Sequence, residues 1–287
     1  MKNLRLFIEL TRLNRPIGYM LLFWPCLWGL TIAYNFENNL NTYFLYLILF
    51  FLGSMLMRSA GCIVNDIVDR QYDKKVDRTK NRPIASGEVS IKLGFFYVAI
   101  LCLVALMVLL QLNKLTIILA LASMPLAFSY PFMKRFTYWP QLFLGITFNY
   151  GLLLGWTSVQ QNLGYLPIIL YIGAIFWTLG YDTIYGYQDI KDDEIIGVKS
   201  TSIKFKKNPK KFISLCYFIS LLSIAVIGFL LNFSNMFFLF LLVPTIQMFY
   251  QIKKLNILNG DICLKIFKSN NALGLIIFVN LLIGKII

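Results

Sequence analysis

Nine stretches of this chain are apolar for about the 20 residues needed to cross the hydrocarbon core of a bilayer, and that repetition constrains the fold more than any other feature. They lie at roughly 16–35, 43–64, 93–111, 115–132, 138–158, 165–187, 212–231, 235–251 and 270–287. Lipid offers the backbone no hydrogen-bond partner, so each span must satisfy its own N–H and C=O groups. The pattern predicts an all-α, multi-span transmembrane bundle of about nine helices, with residues 1–287 forming one integral-membrane domain. Composition agrees: 58% of the residues are hydrophobic and 14% charged, where a soluble domain carries about 25% charged residues.

Charge placement tests the count. With nine spans, the N-terminus and the loops after even-numbered spans share one side, and 24 of the 27 Lys and Arg residues fall there. Lys114 and Lys285 lie opposite and Arg58 lies inside a span. The positive-inside rule makes the rich side cytoplasmic, so the N-terminus and any site on that side are expected to face the cytoplasm. The expected location is a bacterial inner membrane or its equivalent. The first apolar stretch lacks a small-residue cleavage site and reads as a retained span. Before it, Lys2, Arg5, Glu9 and Arg12 share helical spacing, and simple anchoring at the interface is the expected role. The net charge of +14 is accounted for by these loops, so a lipid bilayer and no nucleic acid is the expected partner. The five cysteines show no paired spacing and histidine is absent. That excludes a disulfide framework, imidazole haem ligation, zinc-hydrolase chemistry of the usual type and a histidine base.

Against this basic background the acids are grouped. Ten of the thirteen belong to two segments on the cytoplasmic side: Asp66, Asp69, Asp73, Asp77 and Glu88 after the second span, and Asp182, Asp189, Asp192, Asp193 and Glu194 at the end of the sixth. Side chains three, four, seven or eight apart share a helix face. Asn65, Asp69 and Asp73 follow that spacing, as do Asp182, Tyr185, Asp189 and Asp193. Two carboxylate stripes repel internally unless cations lie between them. Hard oxygen ligands of this kind suit Mg²⁺, which commonly takes one or two carboxylates plus the phosphate oxygens of a substrate. The loops "KKVDRTKNRPIASG", "YPFMKRF" and "DEIIGVKSTSIKF" bring Arg78, Arg82, Lys134, Arg135 and Lys199 beside the stripes. These are candidates to contact a diphosphate, although the topology alone also places basic residues there.

The segments "RSAGCIVNDIVDRQYDKKVDRTKNRPIASG" and "YDTIYGYQDIKDDEIIGVKST" resemble the two signature motifs of the UbiA superfamily of intramembrane aromatic prenyltransferases. "RPIGYMLLFWPCLWGL" and "YPFMKR" resemble the branch of that superfamily that prenylates 4-hydroxybenzoate in ubiquinone synthesis. The likeness runs from about residue 12 to 280 and implies the UbiA fold, Mg²⁺ as cofactor, and a polyprenyl diphosphate and 4-hydroxybenzoate as substrates. On that resemblance, Asn65, Asp66, Asp69, Asp73, Asp182, Asp189, Asp192 and Asp193 match the metal and diphosphate motifs. Asp69, Asp73, Asp189 and Asp193 are the acids expected to be catalytic, and Lys134 with Arg135 matches a basic pair of the diphosphate or carboxylate site.

The implied reaction ionises the allylic C–O bond, and the ring carbon ortho to the acceptor hydroxyl attacks. Among the tyrosines able to stabilise a cation, Tyr185 lies on the acidic stripe and is the chosen candidate. Arg58, two turns before Asn65, is expected to face the bundle interior and pair with the acceptor carboxylate. Two alternatives stay open: the same transfer to haem, homogentisate or a naphthoate, and a secondary transporter. Against the transporter, the carboxylates crowd one interface rather than the bilayer midplane.

Overall fold

The computed structural model describes residues 2–76 and 79–287, of which every regular element is a helix. In chain order they are α1 (Lys2–Thr11), α2 (Ile17–Ala33), α3 (Leu40–Asp73), α4 (Ile91–Leu109), α5 (Lys114–Phe136), α6 (Pro140–Gln160), α7 (Tyr165–Gly186), α8 (Ile190–Ile196), α9 (Thr201–Lys204), α10 (Pro209–Leu230), α11 (Asn235–Phe240), α12 (Leu242–Lys254) and α13 (Gly260–Ile286). Starts are set by short polar side chains that accept a hydrogen bond from the first free amides. Asn39, Ser90, Asn113 and Asn259 do this for α3, α4, α5 and α13.

Eight helical stretches among the described residues are long and apolar enough to cross a membrane, α11 and α12 counting as one, and α2 adds a ninth apolar helix of 17 residues. The protein is an integral membrane bundle. Several boundaries move from their expected places. The second span continues to Asp73, so the first acid segment lies on the last turns of a single 34-residue helix. Likewise α5 runs on to Phe136, so Lys134 and Arg135 occupy its last turn rather than a loop. α13 begins at Gly260, ten residues early. In each case polar residues at the interface continue the helix because helical hydrogen bonds need no apolar side chain.

At the centre α2 packs against α6, with α13 and α3 on its other sides. The approach is set by glycine. A Cβ on Gly29 would lie 2.0 Å from the carbonyl oxygen of Leu152, and one on Gly155 would lie 2.1 Å from that of Cys26. Small residues that let two backbones touch are the usual means of helix association where lipid supplies no hydrophobic drive. Indole hydrogen bonds join α13 to the same core: Trp28 Nε1 donates to the Gly274 carbonyl at 3.1 Å, Trp24 Nε1 to Asn271 at 2.9 Å and Trp177 Nε1 to Asn270 at 3.0 Å. On the far side α4 packs on α3, and α5 packs on α6 and α3. Half or more of the α6 and α7 spans is buried, against less than a quarter of α4 and α5. α4 and α5 thus lie loosely against the bundle and form its open side; the α11–α12 span is as little buried.

Candidate active site

The open side contains a cavity of about 920 Å³, walled by α2, α3, α4, α5, α6 and α7. Its volume is at the upper end of small-ligand pockets. The wall is mostly aliphatic, and its charged members, Arg12, Arg15, Arg58, Arg82 and Asp182, are joined by Asn65 and Tyr185.

The first acid segment borders these residues. Asp66, Asp69 and Asp73 are buried, and a buried carboxylate in a membrane helix requires cations beside it. Each has one. Arg12 Nη2 donates to Asp66 Oδ1 at 2.6 Å, and Arg82 Nη1 bridges Asp66 Oδ1 at 3.1 Å and Asp73 Oδ2 at 2.9 Å. Lys134 Nζ donates to Asp69 Oδ2. Arg135 Nη2 donates to the Val68 carbonyl at 3.0 Å and lies 4.0 Å from Asp69 Oδ1, its guanidinium over the rings of Tyr72 and Phe132. Arg82 reaches its partners because the loop after α3 folds back. Thr79 Oγ1 donates to the Asp73 carbonyl, and Ile84 and Val89 are buried against α1, α3 and α4 residues.

The expected stripe of Asn65, Asp69 and Asp73 lies on one unbroken helix, and Asp66 joins the acids of that face. The buried ionic face is Asp66, Asp69 and Asp73, while Asn65 turns to the cavity. The second expected stripe is broken. α7 stops at Gly186, and α8 is a separate short helix whose first turn carries Asp192 and Asp193. Helical spacing from Asp182 to Asp193 therefore does not measure a common face, and Asp189, Asp192 and Asp193 lie outside the cavity wall. Asp182 and Tyr185 remain on α7 and line it. The Tyr130 hydroxyl on α5 lies within electrostatic reach of Asp69 on α3 and of Asp182 and Tyr185 on α7, so these parts of the two segments face one another.

Arg58 lies on the cavity wall as expected, 5.3 Å from the centroid of Phe148 and against Gly18, with Asp182 in electrostatic range. No acid of the described residues lies within salt-bridge distance of it. Lys199 is placed by capping rather than by the acids. Its amide donates to the Lys134 carbonyl at 2.9 Å and its Nζ to the Phe136 carbonyl at 3.3 Å, both at the end of α5. Arg78 lies outside the described residues.

Two residues escaped the sequence reading. Arg12, assigned to anchoring, sits after α1 with φ 55° and aims its side chain at Asp66 instead. A left-handed arginine costs on the order of 1–2 kcal/mol, so the pairing must hold it there. Phe267 of α13 lines the cavity with its ring 4.5 Å from that of Tyr185. Nothing in an isolated "LKIFKSNN" marks it.

No three acids, cysteines or histidines among the described residues converge as a ready cage for a metal ion. The donor set still fits a hard cation completed by substrate oxygens. All the candidate ligands are oxygens, and the buried Asp69 Oδ1 accepts no hydrogen bond.

Residues 22–281 match the UbiA prenyltransferase family. The chain belongs to the UbiA prenyltransferase family. It is 41% identical over 285 residues to the mitochondrial 4-hydroxybenzoate polyprenyltransferase of Arabidopsis thaliana, covering 99% of this chain and 70% of that protein. It is 42% identical to the Bos taurus protein of the same name, covering 99% and 76%. A 4-hydroxybenzoate geranyltransferase of Lithospermum erythrorhizon is 40% identical, with 99% and 92% covered. In structure the bundle is similar to a UbiA homolog from Aeropyrum pernix, with a TM-score of 0.76 and 20% identity over 92% of this chain and 96% of that one. A UbiA homolog from Archaeoglobus fulgidus, solved with GPP and Mg²⁺, gives 0.70 and 16% over 96% and 99%. At these identities the two structures establish the UbiA fold.

Proposed function

We propose that this UbiA-family protein is a 4-hydroxybenzoate polyprenyltransferase, its whole length one catalytic unit. It transfers the prenyl group of a polyprenyl diphosphate to the carbon ortho to the acceptor hydroxyl, giving 3-polyprenyl-4-hydroxybenzoate and diphosphate. One observation carries the reading: an apolar cavity ends at Asn65, Arg82, Asp182 and Arg58, an arginine with no acid of the described residues in salt-bridge range, directly beside the buried acids of α3. A hydrocarbon tail fits the aliphatic part, a diphosphate the charged end, and a small aromatic acid the place beside Arg58. The relatives at about 40% identity carry names for this transfer.

Arg12, Arg82 and Lys134 already cover Asp66, Asp69 and Asp73, and Arg58 and Arg135 add further positive charge at this end. An incoming diphosphate gives those cations a second anionic partner, and the carboxylates they uncover face the same oxygens. Mg²⁺ held by Asp66, Asp69, Asp73 and Asp182, with Asn65, would supply Lewis-acid neutralisation of the leaving diphosphate. Asp189, Asp192 and Asp193, on α8 and the three-residue turn that joins it to α7, would add carboxylates from the second motif. Arg82, Lys134 and Arg135 hold the phosphate oxygens.

As the allylic C–O bond opens, positive charge develops on carbon. The rings of Tyr185, Tyr130 and Phe267 line the cavity, and aromatic rings there are suited to stabilise such a cation. The aliphatic wall keeps water from quenching the cation. Arg58 binds the acceptor carboxylate, which lies para to the hydroxyl and so leaves the ortho carbon free to attack; the proton on that carbon then passes to the departed diphosphate. The bias of basic residues supports a site facing the cytoplasm, or the matrix in a mitochondrion.

The test is turnover in nanodiscs with Mg²⁺, a polyprenyl diphosphate and 4-hydroxybenzoate, read by mass spectrometry. Prenylated 4-hydroxybenzoate, lost on chelation, is expected. Turnover of homogentisate or a naphthoate but not of 4-hydroxybenzoate would replace the acceptor, and hydrolysis of the diphosphate with no acceptor consumed would reject the transfer.

A further inference from the structure

The glycines of the membrane helices separate into two kinds. Most are required by packing: a Cβ at Gly29, Gly145, Gly151, Gly155, Gly173, Gly180, Gly228, Gly274 or Gly284 would come within 3.0 Å of a neighbouring atom. Gly18 meets Arg58 and Gly94 meets Ile67 and Ile84. Gly87 and Gly197 are outside the spans and need their positive φ. Gly53 and Gly61 have neither reason. Both lie inside α3 with helical backbone, and a Cβ added at either meets nothing within 4 Å.

A glycine inside a helix is destabilising relative to alanine, because it loses more backbone freedom on folding. Two such positions in one helix, with no contact to justify them, call for another cause. Both line the cavity, as does Met57 between them, and the spacing of four residues puts the three on one face of α3. At about 1.5 Å per residue, Gly61 lies about 6 Å along the helix from Asn65 at the charged end, and Gly53 about 18 Å from it.

We propose that Gly53 and Gly61 are specificity-determining residues for the prenyl donor: they leave out side chains to keep the cavity wide along the path of the hydrocarbon tail. Gly61 clears the space beside the diphosphate end, which every donor occupies. Gly53 clears a deeper position that only a long tail reaches. The inference rests on the reading of the cavity as a prenyl-diphosphate site. Donor length is a variable that family similarity leaves open, since relatives near 40% identity are named both polyprenyltransferase and geranyltransferase.

The experiment compares the full-length protein with Gly53→Leu and Gly61→Leu, measuring kcat/KM for geranyl and octaprenyl diphosphate with Mg²⁺ and 4-hydroxybenzoate. A filled subsite discriminates by tenfold or more per displaced group, so the octaprenyl-to-geranyl ratio should fall by about tenfold or more in Gly53→Leu. In Gly61→Leu both donors should lose together. Equal losses of the two donors in Gly53→Leu, or none, would overturn the assignment. Gly53→Ala and Gly61→Ala guard against a folding defect: without a clash, the better helix former should raise Tm, by about 2 °C each. A lower Tm would show that the positions are packed, and the proposal would fall. If the wild type turns over no acceptor, the functional reading fails separately, and the same ratio is read from the Kd of the two diphosphates. Unchanged length preference in binding would then reject the glycine roles on their own.

Discussion

The two acid segments are similar in sequence and unlike in structure. Asp66, Asp69 and Asp73 occupy the end of one unbroken helix, are buried, and are each held by an arginine or lysine from α5 or from the segments flanking α2 and α3. Of the second group, Asp182 shares the cavity, and the rest follow a helix break at Gly186. A buried carboxylate has to be fixed, because leaving it without a partner costs several kcal/mol; the acids beyond the break belong to a short helix outside the cavity wall. The first segment is thus a prebuilt half of the site. The second supplies one acid on the cavity wall and a group beyond the helix break.

The largest effect that would sharpen this contrast is Asp69→Asn. It removes the charge that Lys134 pairs with and the buried oxygen that accepts no hydrogen bond, and kcat/KM should fall on the order of 10²–10³-fold. Steady-state turnover checks it, and a loss under tenfold would break the assignment of the α3 acids. Next comes Arg58→Leu. KM for 4-hydroxybenzoate should rise about tenfold to a hundredfold, the scale of a lost charge-assisted contact, with little change in KM for the donor. An equal change in both would remove Arg58 from the acceptor site. Asp192→Asn, beyond the break, should cost about tenfold or less in metal-dependent activity. A loss matching that of Asp69→Asn would show that the two segments act alike. Smallest is Lys206→Ala, which deletes an exposed pair with Glu194 on α8. Tm should move by no more than the effect of about 0.5 kcal/mol, and activity should not change.

How much was legible in the sequence follows the same division. Apolar runs located every membrane helix, because hydrophobic length is a requirement of the bilayer itself. Their polar ends were misjudged wherever a helix continued through charged residues, as α3 does to Asp73 and α5 does to Phe136. Periodicity placed Asn65, Asp69 and Asp73 on one face because α3 is continuous, and failed from Asp182 to Asp193 because α7 stops at Gly186, a stop whose local sign in "YDTIYGYQDIKDD" is the glycine alone. Arg12 was hidden by its own surroundings: four charged residues at helical spacing read as an interfacial anchor, and only the fold brings Arg12 to Asp66 across 54 residues. Arg58 was legible for the opposite reason, as the lone charge within a span. Phe267, Gly53 and Gly61 carry no local signal at all, since their roles exist only where α3, α7 and α13 surround the cavity.

The central claim is that the acids of α3 bind the donor diphosphate together with Mg²⁺. It is tested most directly by the affinity of the protein in nanodiscs for a prenyl thiodiphosphate that does not ionise, titrated with and without Mg²⁺ for wild type and Asp69→Asn. The account predicts tight binding that needs Mg²⁺ in the wild type, and weaker binding by about tenfold or more, with the Mg²⁺ dependence diminished, in the variant. Equal affinity of the two proteins, with the same response to Mg²⁺, would contradict it.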